Sequence, residues 1–268
     1  MLRWIDTHNH LFVFPEKKAE QEVKSAEIVG LVSSLICAGG PENFEAARNC
    51  AYALNQGYAV GIHPLFIRGN WQADLEQLSL YLETHSKEDR LVALGECGLD
   101  FTQESTAAPE VQEKVFCEQL KLARRFDLPL SLHGRGAIDI VLKHIRRLAP
   151  QKGVLHAFNG SFDQARAFQQ NGFKLGYGGA MAYEGSKRIR KVFAALPNDA
   201  WVLETDSPDM PAPWRRESCP NHPESMPEDI VRYAQIAAAL RGCTLEEISE
   251  QGIVNTVEVF PKFKDLIA

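Results

Sequence analysis

The chain has 268 residues, of which 45% are hydrophobic and 24% are charged, and a formal net charge of −6. This is the composition of an ordinary globular protein. The acidic balance disfavours non-specific wrapping of nucleic acid by the whole surface. It leaves room for a local basic rim, or for an acidic pocket neutralised by bound cations. A single α/β barrel commonly fills about 250 residues, so we expect one domain over residues 1–268.

Residues 1–4 are too few, and too soon interrupted by Asp6, to predict a signal peptide. No apolar run approaches the roughly 18 residues of a membrane span. The six cysteines, at positions 37, 50, 97, 117, 219 and 243, form no CxxC pair. We therefore expect buried thiols in a reducing compartment rather than disulfides, and a cytoplasmic protein.

Eight short apolar segments alternate with helical segments along the chain. The predicted strands are Trp4–Thr7, Ile28–Cys37, Tyr58–Ile62, Leu91–Gly95, Leu130–Leu132, Gly153–Leu155, Phe173–Tyr177 and Trp201–Leu203. The predicted helices are Glu42–Asn55, Asp74–His85, Glu110–Phe126, Ala137–Leu148, Ser161–Gln170, Ser186–Leu196, Pro227–Leu240 and Thr244–Ile253. Capping boxes begin the helices at Ser161 and Thr244. We expect residues 15–27 to be helical or loop-like, and Pro211–Pro223 to be a long surface loop.

Alternation of strands with helices predicts parallel βαβ units, and hence an α/β fold. Eight strands favour a closed TIM (β/α)8 barrel over an open doubly wound sheet. An open sheet that binds a dinucleotide would carry a glycine-rich motif after its first strand. This chain has His8-Asn9-His10 there instead.

Ionisable residues cluster where these strands end. His8 and His10 are two residues apart and therefore share one face of the first strand. Active sites of such barrels lie at the carboxyl ends of the strands. The candidates there are His8, His10, His63, Glu96, His133, Arg135, His156, Glu204 and Asp206. We expect the remaining histidines, His85, His144 and His222, to be surface residues.

The four strand-end histidines and two carboxylates would be costly to bury without partners, and metal ions offset that cost. The candidate ligands are His8, His10, Glu96, His133, His156 and Asp206. One tetrahedral zinc takes only three or four protein ligands, so the set favours two divalent ions that share a carboxylate. Histidine with carboxylate permits Zn, Mn, Fe, Ni or Co, and a looser Mg site is possible.

Six motifs, in order along almost the whole chain, resemble the TatD family of metal-dependent hydrolases and deoxyribonucleases. They are Ile5–His10, Val60–Pro64, Leu94–Phe101, Leu128–Arg135, Gly153–Ser161 and Leu203–Pro211, and residues 255–260 resemble the family's closing signature. The resemblance implies a TIM barrel of the amidohydrolase superfamily. It implies one metal held by His8, His10 and Asp206, a second held by His133 and His156, and Glu96 as the bridge between them.

Three further residues receive roles near the metals. His63 matches a motif histidine that binds substrate or supports the site. Arg135 shares the face of His133 if the strand continues, and its guanidinium fork suits phosphate oxygens; a surface ion pair is the alternative. Glu204, two residues before Asp206, is predicted to point into the barrel and orient a histidine, with a buried ion pair as the alternative.

Other candidates for substrate contact are weaker. The basic cluster Lys187, Arg188, Arg190 and Lys191 is either a solvated face or a nucleic-acid contact, and Arg215–Arg216 lie nearer the predicted mouth. Four aromatic residues could stack bases or simply pack, namely Phe158, Tyr177, Tyr183 and Trp214. A third metal site at Cys219 and His222 is a remote alternative. Asn9, Phe12 and Gly134 depart from the family's usual Cys, Asp and Ser.

Two cations can make hydroxide from a bridging water and polarise a phosphoryl or carbonyl oxygen, while Asp206 can accept the proton. The resemblance implies a phosphodiesterase, of the 3′→5′ exodeoxyribonuclease type, that acts on DNA ends with a metal-bridged hydroxide and with Asp206 and Glu96 as catalytic carboxylates. Alternatives are an amide, ester or aminoacyl-RNA hydrolase on the same site, and a non-catalytic nucleic-acid-binding scaffold. We expect no organic cofactor, and the oligomeric state stays open.

Overall fold

The computed structural model describes residues 2–148 and 152–268. Its centre is one sheet of eight parallel strands whose spatial order follows the chain. The strands are β1 Trp4–Asn9, β2 Leu31–Cys37, β3 Gly57–Val60, β4 Leu91–Asp100, β5 Leu130–Arg135, β6 Gly153–Leu155, β7 Phe173–Tyr177 and β8 Trp201–Leu203. The chain just after β8 meets β1, since Asp206 N donates to His8 O at 2.8 Å and His10 N donates to Ser207 O at 2.7 Å. The predicted TIM barrel is confirmed.

Helices fill the connections between the strands and cover the outside of the barrel. Within the described ranges they are α1 Glu16–Ile28, α2 Phe44–Ala53, α3 Trp71–His85, α4 Pro109–Phe126, α5 Ile138–Leu148, α6 Phe162–Gln170, α7 Lys187–Ala195, α8 Pro213–Ser218, α9 Asp229–Arg241, α10 Leu245–Val259 and α11 Phe263–Leu266. Both predicted capping boxes form, at Ser161 and at Thr244. None of these helices is long and apolar enough to cross a membrane.

Several element boundaries differ from the sequence prediction. The strand predicted from Ile28 begins at Leu31, because Ile28 instead ends α1 with 86% of its surface exposed. The predicted loop Pro211–Pro223 contains α8, which has a proline at its first position, where the missing N–H costs nothing. Strands β1, β4 and β5 run further than predicted, so His8, Glu96 and His133 lie inside strands rather than after them.

The apolar core has two parts. One lies between the strands and the helices, and the other fills the barrel itself. Phe260 and Phe263, from the C-terminal segment, are fully buried in the inner part. Lys262, between them, donates to the carbonyl of Leu91, the first residue of β4. The C-terminal segment therefore closes the amino end of the barrel and leaves the carboxyl end for a site.

The predictions for cysteine and histidine environments hold only in part. All six cysteines are free, but Cys219 is exposed while Cys37 and Cys97 are buried. The prediction that His144 is a surface residue is wrong, because only 3% of it is exposed. Its helix packs against α4, and both ring nitrogens form hydrogen bonds with side chains of that helix. His222 is exposed as predicted.

Candidate metal centre

A cavity of about 830 Å³ opens at the carboxyl ends of the strands. Five of the six predicted ligands line it, namely His10, Glu96, His133, His156 and Asp206. The sixth, His8, is fully buried next to it, with its ring stacked on that of His156 at 4.1 Å between centroids. The structure therefore brings together all six residues that the sequence singled out.

A β-bulge places Glu96 inside this ring of histidines. Leu94 pairs with Leu130 and Cys97 with Leu132, so three steps along β4 match two steps along β5. The extra residue bends the strand and re-aims its side chains. Gly98, with φ of +148°, lies so close to β5 that a Cβ there would sit 2.0 Å from the carbonyl oxygen of His133. Glycine is required at this position for the two strands to meet.

The two carboxylate oxygens of Glu96 face different histidines. Oε2 lies 3.3 Å from His8 Nε2 and 3.6 Å from His10 Nε2. Oε1 lies 2.9 Å from His156 Nε2, 3.1 Å from His133 Nδ1 and 3.3 Å from His63 Nε2. This carboxylate thus stands between two groups of imidazoles, with one oxygen toward each.

Asp206 completes the first of these groups. Its Oδ1 lies 3.4 Å from His10 Nε2 and 3.6 Å from His8 Nε2. Burial raises the pKa of Asp206, but the hydrogen bond from His10 and the neighbouring histidines outweigh it, and the pKa falls below its ordinary value. The carboxylate is therefore ionised, as a metal ligand or a proton acceptor must be.

Hydrogen bonds on the outer side of two rings decide which nitrogen holds a lone pair. His10 Nδ1 lies 2.8 Å from the carbonyl oxygen of Cys37, which can only accept, so Nδ1 carries the proton and Nε2 is free to bind a metal. His133 Nε2 lies 3.0 Å from Asp100 Oδ2. Burial raises the pKa of Asp100, but hydrogen bonds from His133 and Thr102 outweigh it and lower the pKa. Asp100 accordingly accepts, and His133 Nδ1 is the free nitrogen.

In His63, unlike His10 and His133, the nitrogen that faces the site carries the proton. Its Nδ1 accepts a hydrogen bond from the backbone N–H of Leu65 at 3.2 Å. The proton of the neutral ring is therefore on Nε2, the atom that points at Glu96 Oε1, and burial lowers the pKa of His63 so that the ring is neutral. A protonated nitrogen cannot bind a metal, which fits the prediction that His63 supports the site or contacts substrate.

The donor set fits a cation. His8 Nε2 is buried and has no hydrogen-bond partner among the described residues, and burial with the neighbouring His156 lowers the pKa of His8 to about 4. The free Nδ1 of His133 lies 3.1 Å from His156 Nε2. Two ring nitrogens at this distance need a proton or a metal cation between them, because two lone pairs there would repel. Nitrogen and carboxylate oxygen ligands are those that Zn and similar divalent ions prefer.

The pKa values of two histidines also indicate a site for a cation. Burial lowers the pKa of His10, but its hydrogen bond to Asp206 and the charges of Asp206 and Glu96 outweigh it and raise the pKa to about 9. Burial also lowers the pKa of His156, but the charges of Glu96 and Asp206 raise it to about 10. The site thus attracts positive charge strongly enough to hold protons on buried imidazoles, and a divalent ion would replace those protons.

Asp100 and Asp6 are residues that the sequence analysis missed. Asp100 ends β4, which was expected to stop at Gly95. Asp6 is fully buried and accepts hydrogen bonds from Thr205 N at 2.8 Å, Thr205 Oγ1 at 2.6 Å, Asn9 Nδ2 at 3.0 Å and His8 N at 3.3 Å. It therefore joins the histidine strand to the residue before Asp206. The signal in the sequence was a charged residue within an otherwise apolar strand.

Glu204 lies next to His156 but forms no hydrogen bond with it. Its Oε1 lies 3.8 Å from His156 Nδ1 and accepts from the backbone N–H of Ala157 at 2.6 Å. Burial raises the pKa of Glu204 to about 8. Glu204 is almost fully buried and lies against Gly176 of β7, and its orienting role stays a prediction.

Arg135 and Arg216 lie at the rim of the cavity. β5 does continue to Arg135, which forms two hydrogen bonds with Glu104, at 2.7 and 2.6 Å. Arg216 donates from Nε to the hydroxyl of Tyr183 at 2.7 Å. The neighbouring Arg215 is instead engaged by Asp229 and Glu228, away from the cavity lining. Of the Arg215–Arg216 pair, only Arg216 faces the cavity.

The four aromatic residues that could either stack bases or pack do not line the cavity. Phe158 and Tyr177 are buried in the outer core, and Trp214 packs under Arg232. The aromatic residues at the mouth are Phe12 and Phe66, the latter 51% exposed. Sequence reasoning missed Phe66, because nothing but its position three residues after His63 marked it.

The three departures from the family pattern have different locations. Asn9 is fully buried and its amide bonds to Asp6 and to the backbone of Leu11, so it does not face the cavity. Phe12 and Gly134 do line the cavity. A Cβ at Gly134 would lie 3.0 Å from Leu155 Cδ1, so a larger residue there requires a small shift.

The remaining candidates lie outside the centre. In the described part of the chain, every group of three or more potential metal ligands belongs to the barrel mouth, and none includes Cys219 or His222. In the basic cluster on α7, Lys187 and Lys191 are exposed, while Arg188 donates to the carbonyl of Asn159, which lines the cavity. Nucleic-acid contact by this cluster stays a prediction.

Imidazoles and carboxylates that converge at the carboxyl end of a TIM barrel define a metal-dependent hydrolase. The model of the TatD-related DNase family matches residues 5–261, and the chain belongs to this family. The metal-dependent hydrolase YjjV of Escherichia coli K12 is 37% identical over 264 residues, which cover 96% of this chain and 98% of that protein. The crystal structure of YjjV has a TM-score of 0.86 and 36% identity, covering 97% of this chain and 98% of that one.

Two relatives carry more specific descriptions. The deoxyribonuclease Tat-D of Schizosaccharomyces pombe is 31% identical, with 90% of this chain and 86% of that protein covered. The 3′-5′ ssDNA/RNA exonuclease TatD of Erwinia billingiae is 30% identical, with 91% and 93% covered. The chain is thus a metal-dependent hydrolase of the TatD family.

Proposed function

We propose that the protein is a phosphodiesterase that removes nucleotides from the 3′ end of DNA, with two divalent ions at the barrel mouth. The observation that carries the two-ion proposal is the position of Glu96, whose two oxygens face separate groups of imidazole nitrogens. The DNA substrate is supported by the deoxyribonuclease and 3′-5′ exonuclease relatives. Family membership and the converging ligands argue against a non-catalytic scaffold.

The ligands divide between the two sides of Glu96. His8, His10 and Asp206 would hold one ion, and His133 and His156 the other, with Glu96 shared. Such ions supply Lewis acidity, which polarises a phosphoryl oxygen and lowers the pKa of a water.

The chain's own residues then position and deprotonate the nucleophile. Asp206 is ionised and lines the cavity, so it can accept the proton of the attacking water. His63 presents its Nε2–H toward Glu96 and the cavity, where it donates a hydrogen bond to Glu96 or to the substrate.

The rim would hold the nucleic acid on two sides. Arg135 and Arg216 would contact phosphate oxygens, for which Arg135 exchanges its bonds with Glu104. Phe12 and Phe66 lie on the connections after β1 and β3 and offer apolar faces on which bases can stack.

The test is a single-stranded DNA labelled at its 5′ end and incubated with Mn, Zn, Co, Ni or Mg ions in separate reactions. We expect stepwise shortening from the 3′ end that EDTA abolishes and that His133→Ala and Asp206→Ala lose. His222→Ala, at an exposed histidine, is the matched control and should retain activity. Nucleotide release that survives chelation and both substitutions would contradict the proposal.

A carboxyl-type hydrolase, acting on an ester, amide or aminoacyl-RNA bond, is the second candidate. The observation that favours it is the acidic rim, where Glu104 neutralises Arg135 and Asp209 also lines the cavity. A panel of esters and amides with the same metals separates the two candidates. Cleavage of these substrates, with phosphodiesters untouched, would select the second.

A further inference from the structure

A nucleophile, a base and a carboxylate lie in one hydrogen-bonded chain on the outside of the barrel. Cys117 Sγ is 3.2 Å from His144 Nδ1, and His144 Nε2 is 2.6 Å from Glu113 Oε2. Glu113 and Cys117 are four residues apart on α4, so they share the face that meets His144 of α5. This group is separate from the metal centre, and no step of the proposed hydrolysis uses it.

The chain of bonds fixes the direction of proton transfer. The carboxylate of Glu113 can only accept, so His144 Nε2 carries a proton and donates it. His144 Nδ1 is then the lone pair that faces the thiol, and Cys117 S–H donates to it. Thiol and carboxylate lie on opposite nitrogens of the ring, so they cannot share a metal ion. The arrangement is instead that of a thiol with an oriented general base.

The three side chains of this hydrogen-bonded group differ in how far they are buried. His144 is 3% exposed and its ring packs edge-on against the fully buried Phe116, at 6.1 Å between centroids. Glu113 is 29% exposed at its side chain, and Cys117 is partly exposed. The base is therefore buried in the protein while Cys117 is partly exposed to solvent. Partial burial raises the pKa of the Cys117 thiol, and proton transfer to His144 is what would overcome this.

We propose that Cys117 is a modification site, at which His144 activates the thiol for exchange with a small-molecule disulfide. The S–H proton moves to His144 Nδ1 as the Cys117 sulfur attacks one sulfur of the disulfide. The disulfide's S–S bond breaks as the new S–S bond forms, and the departing thiolate takes the proton from the imidazolium. Cys117 is thereby oxidised to a mixed disulfide and the departing sulfur is reduced to a thiol. Glu113 is a positioning residue that holds the ring and stabilises its charged form.

Cys219 supplies the matched comparison within the same molecule. It is exposed, and the structure gives its thiol no hydrogen bond to a base among the described residues. If exposure alone controlled the rate of disulfide exchange, Cys219 would react faster than Cys117. If His144 controls the rate, Cys117 reacts faster.

The experiment treats the full-length protein with oxidised glutathione at pH 7 and follows each cysteine by peptide mass spectrometry. We expect Cys117 to form the mixed disulfide at least about tenfold faster than Cys219, a conservative fraction of what a positioned base contributes. His144→Gln should slow Cys117 by at least about tenfold and leave Cys219 unchanged. A Cys117 no faster than Cys219, or a rate unaffected by His144→Gln, would show that the three residues only satisfy one another in a packed interface.

Glu113→Gln keeps the proposal testable if the buried His144 cannot be replaced without unfolding. The charged groups near the thiol are Glu113, Glu118 and Lys121 on α4, and Arg147 on α5. Without the Glu113 carboxylate the imidazolium is less stable, so Cys117 should form the mixed disulfide more slowly at pH 7 while Cys219 keeps its rate. An unchanged Cys117 rate contradicts the role of Glu113. Equal, fast labelling of all six cysteines would report unfolding, and the comparison would then be made with Glu113→Asp.

Discussion

The two sides of the candidate metal centre are held in place by different means. The β1 side consists of His8, His10 and Asp206, and the β5 side consists of His133 and His156. On the β1 side the outer ring nitrogens meet neutral groups, the hydroxyl of Ser131 and the carbonyl of Cys37. On the β5 side, His133 meets the charged Asp100 and His156 Nδ1 is buried without a partner in the described structure.

This difference indicates how firmly each side is formed before any ion binds. The β1 side is tied to the end of β8 through Asp6, which accepts four hydrogen bonds from both segments. The orientation of His156 has no comparable anchor, since Glu204 lies 3.8 Å from its outer nitrogen. Preorganised ligands lose less entropy on binding. We therefore expect the ion on the β1 side to bind more tightly than the ion on the β5 side.

Glu96→Gln should have the largest effect, because among the six candidate ligands Glu96 has one oxygen toward each side. The amide replaces one acceptor oxygen with a donor that points at imidazole nitrogens. We expect activity to fall on the order of a thousandfold, since even residues that only support ligands contribute 10–100-fold. Elemental analysis should find less than one ion per chain. Glu27→Gln, at an exposed helical position, is the control. If the Glu96→Gln variant still binds two ions, the two ions do not share this carboxylate.

Asp100→Asn should come next and should affect one side only. The amide group can donate to His133 Nε2 and so place the ring proton on Nδ1, the atom that faces the site. We expect a loss of about 10–100-fold in affinity for the second ion and in activity. A metal titration should still show one tight ion, on the β1 side. Equally weaker binding of both ions would contradict the distinction between the two sides. Asp89→Asn, on the surface, is the control for the loss of charge.

The convergence of the six candidate ligands could be predicted because it follows from topology. Parallel strands of a barrel end on one rim, so His8, Glu96, His133 and His156 needed only correct strand order to come together. Asp100 could not be found in this way. The bulge at Glu96 adds one residue to β4 and carries the strand on to Asp100, whereas the apolar pattern alone ended the strand at Gly95.

Side-chain environment was the harder part to predict. His144 was expected at the surface because it lies on a helix rather than at a strand end, but its partners, Cys117 and Glu113, come from another helix. For Tyr177 the sequence left open whether the ring stacks bases or packs, and the structure shows that it packs in the outer core. Such outcomes depend on how layers pack against each other, which periodicity within one element does not encode.

Substitutions of Glu204 should have smaller effects on ion affinity, and these effects depend on whether its carboxylate mainly contacts Ala157 or His156. If its main role is to accept from the Ala157 N–H, then Glu204→Gln keeps that bond and should stay within about threefold of wild type in second-ion affinity. Glu204→Ala leaves the N–H unpaired and should lower the free energy of unfolding by about 1–3 kcal/mol. Denaturant unfolding and metal titration measure the two quantities. A large loss of second-ion affinity in Glu204→Gln would instead show that the ionised carboxylate orients His156 once the ion is bound.

Ser131→Ala should have the smallest effect and tests the β1 side. Ser131 Oγ lies 3.0 Å from His8 Nδ1, and Cys37 Sγ is a second neighbour at 3.5 Å. Because the sulfur remains after the substitution, we expect a loss near the lower end of the about 0.5–1.5 kcal/mol of one hydrogen bond. That corresponds to a few-fold weaker binding of the first ion, read from a metal titration with unchanged affinity for the second. Ser131 belongs to β5, so weaker binding of the second ion alone would mean that the strand supports His133 through its backbone and that the β1 side does not rely on this hydroxyl.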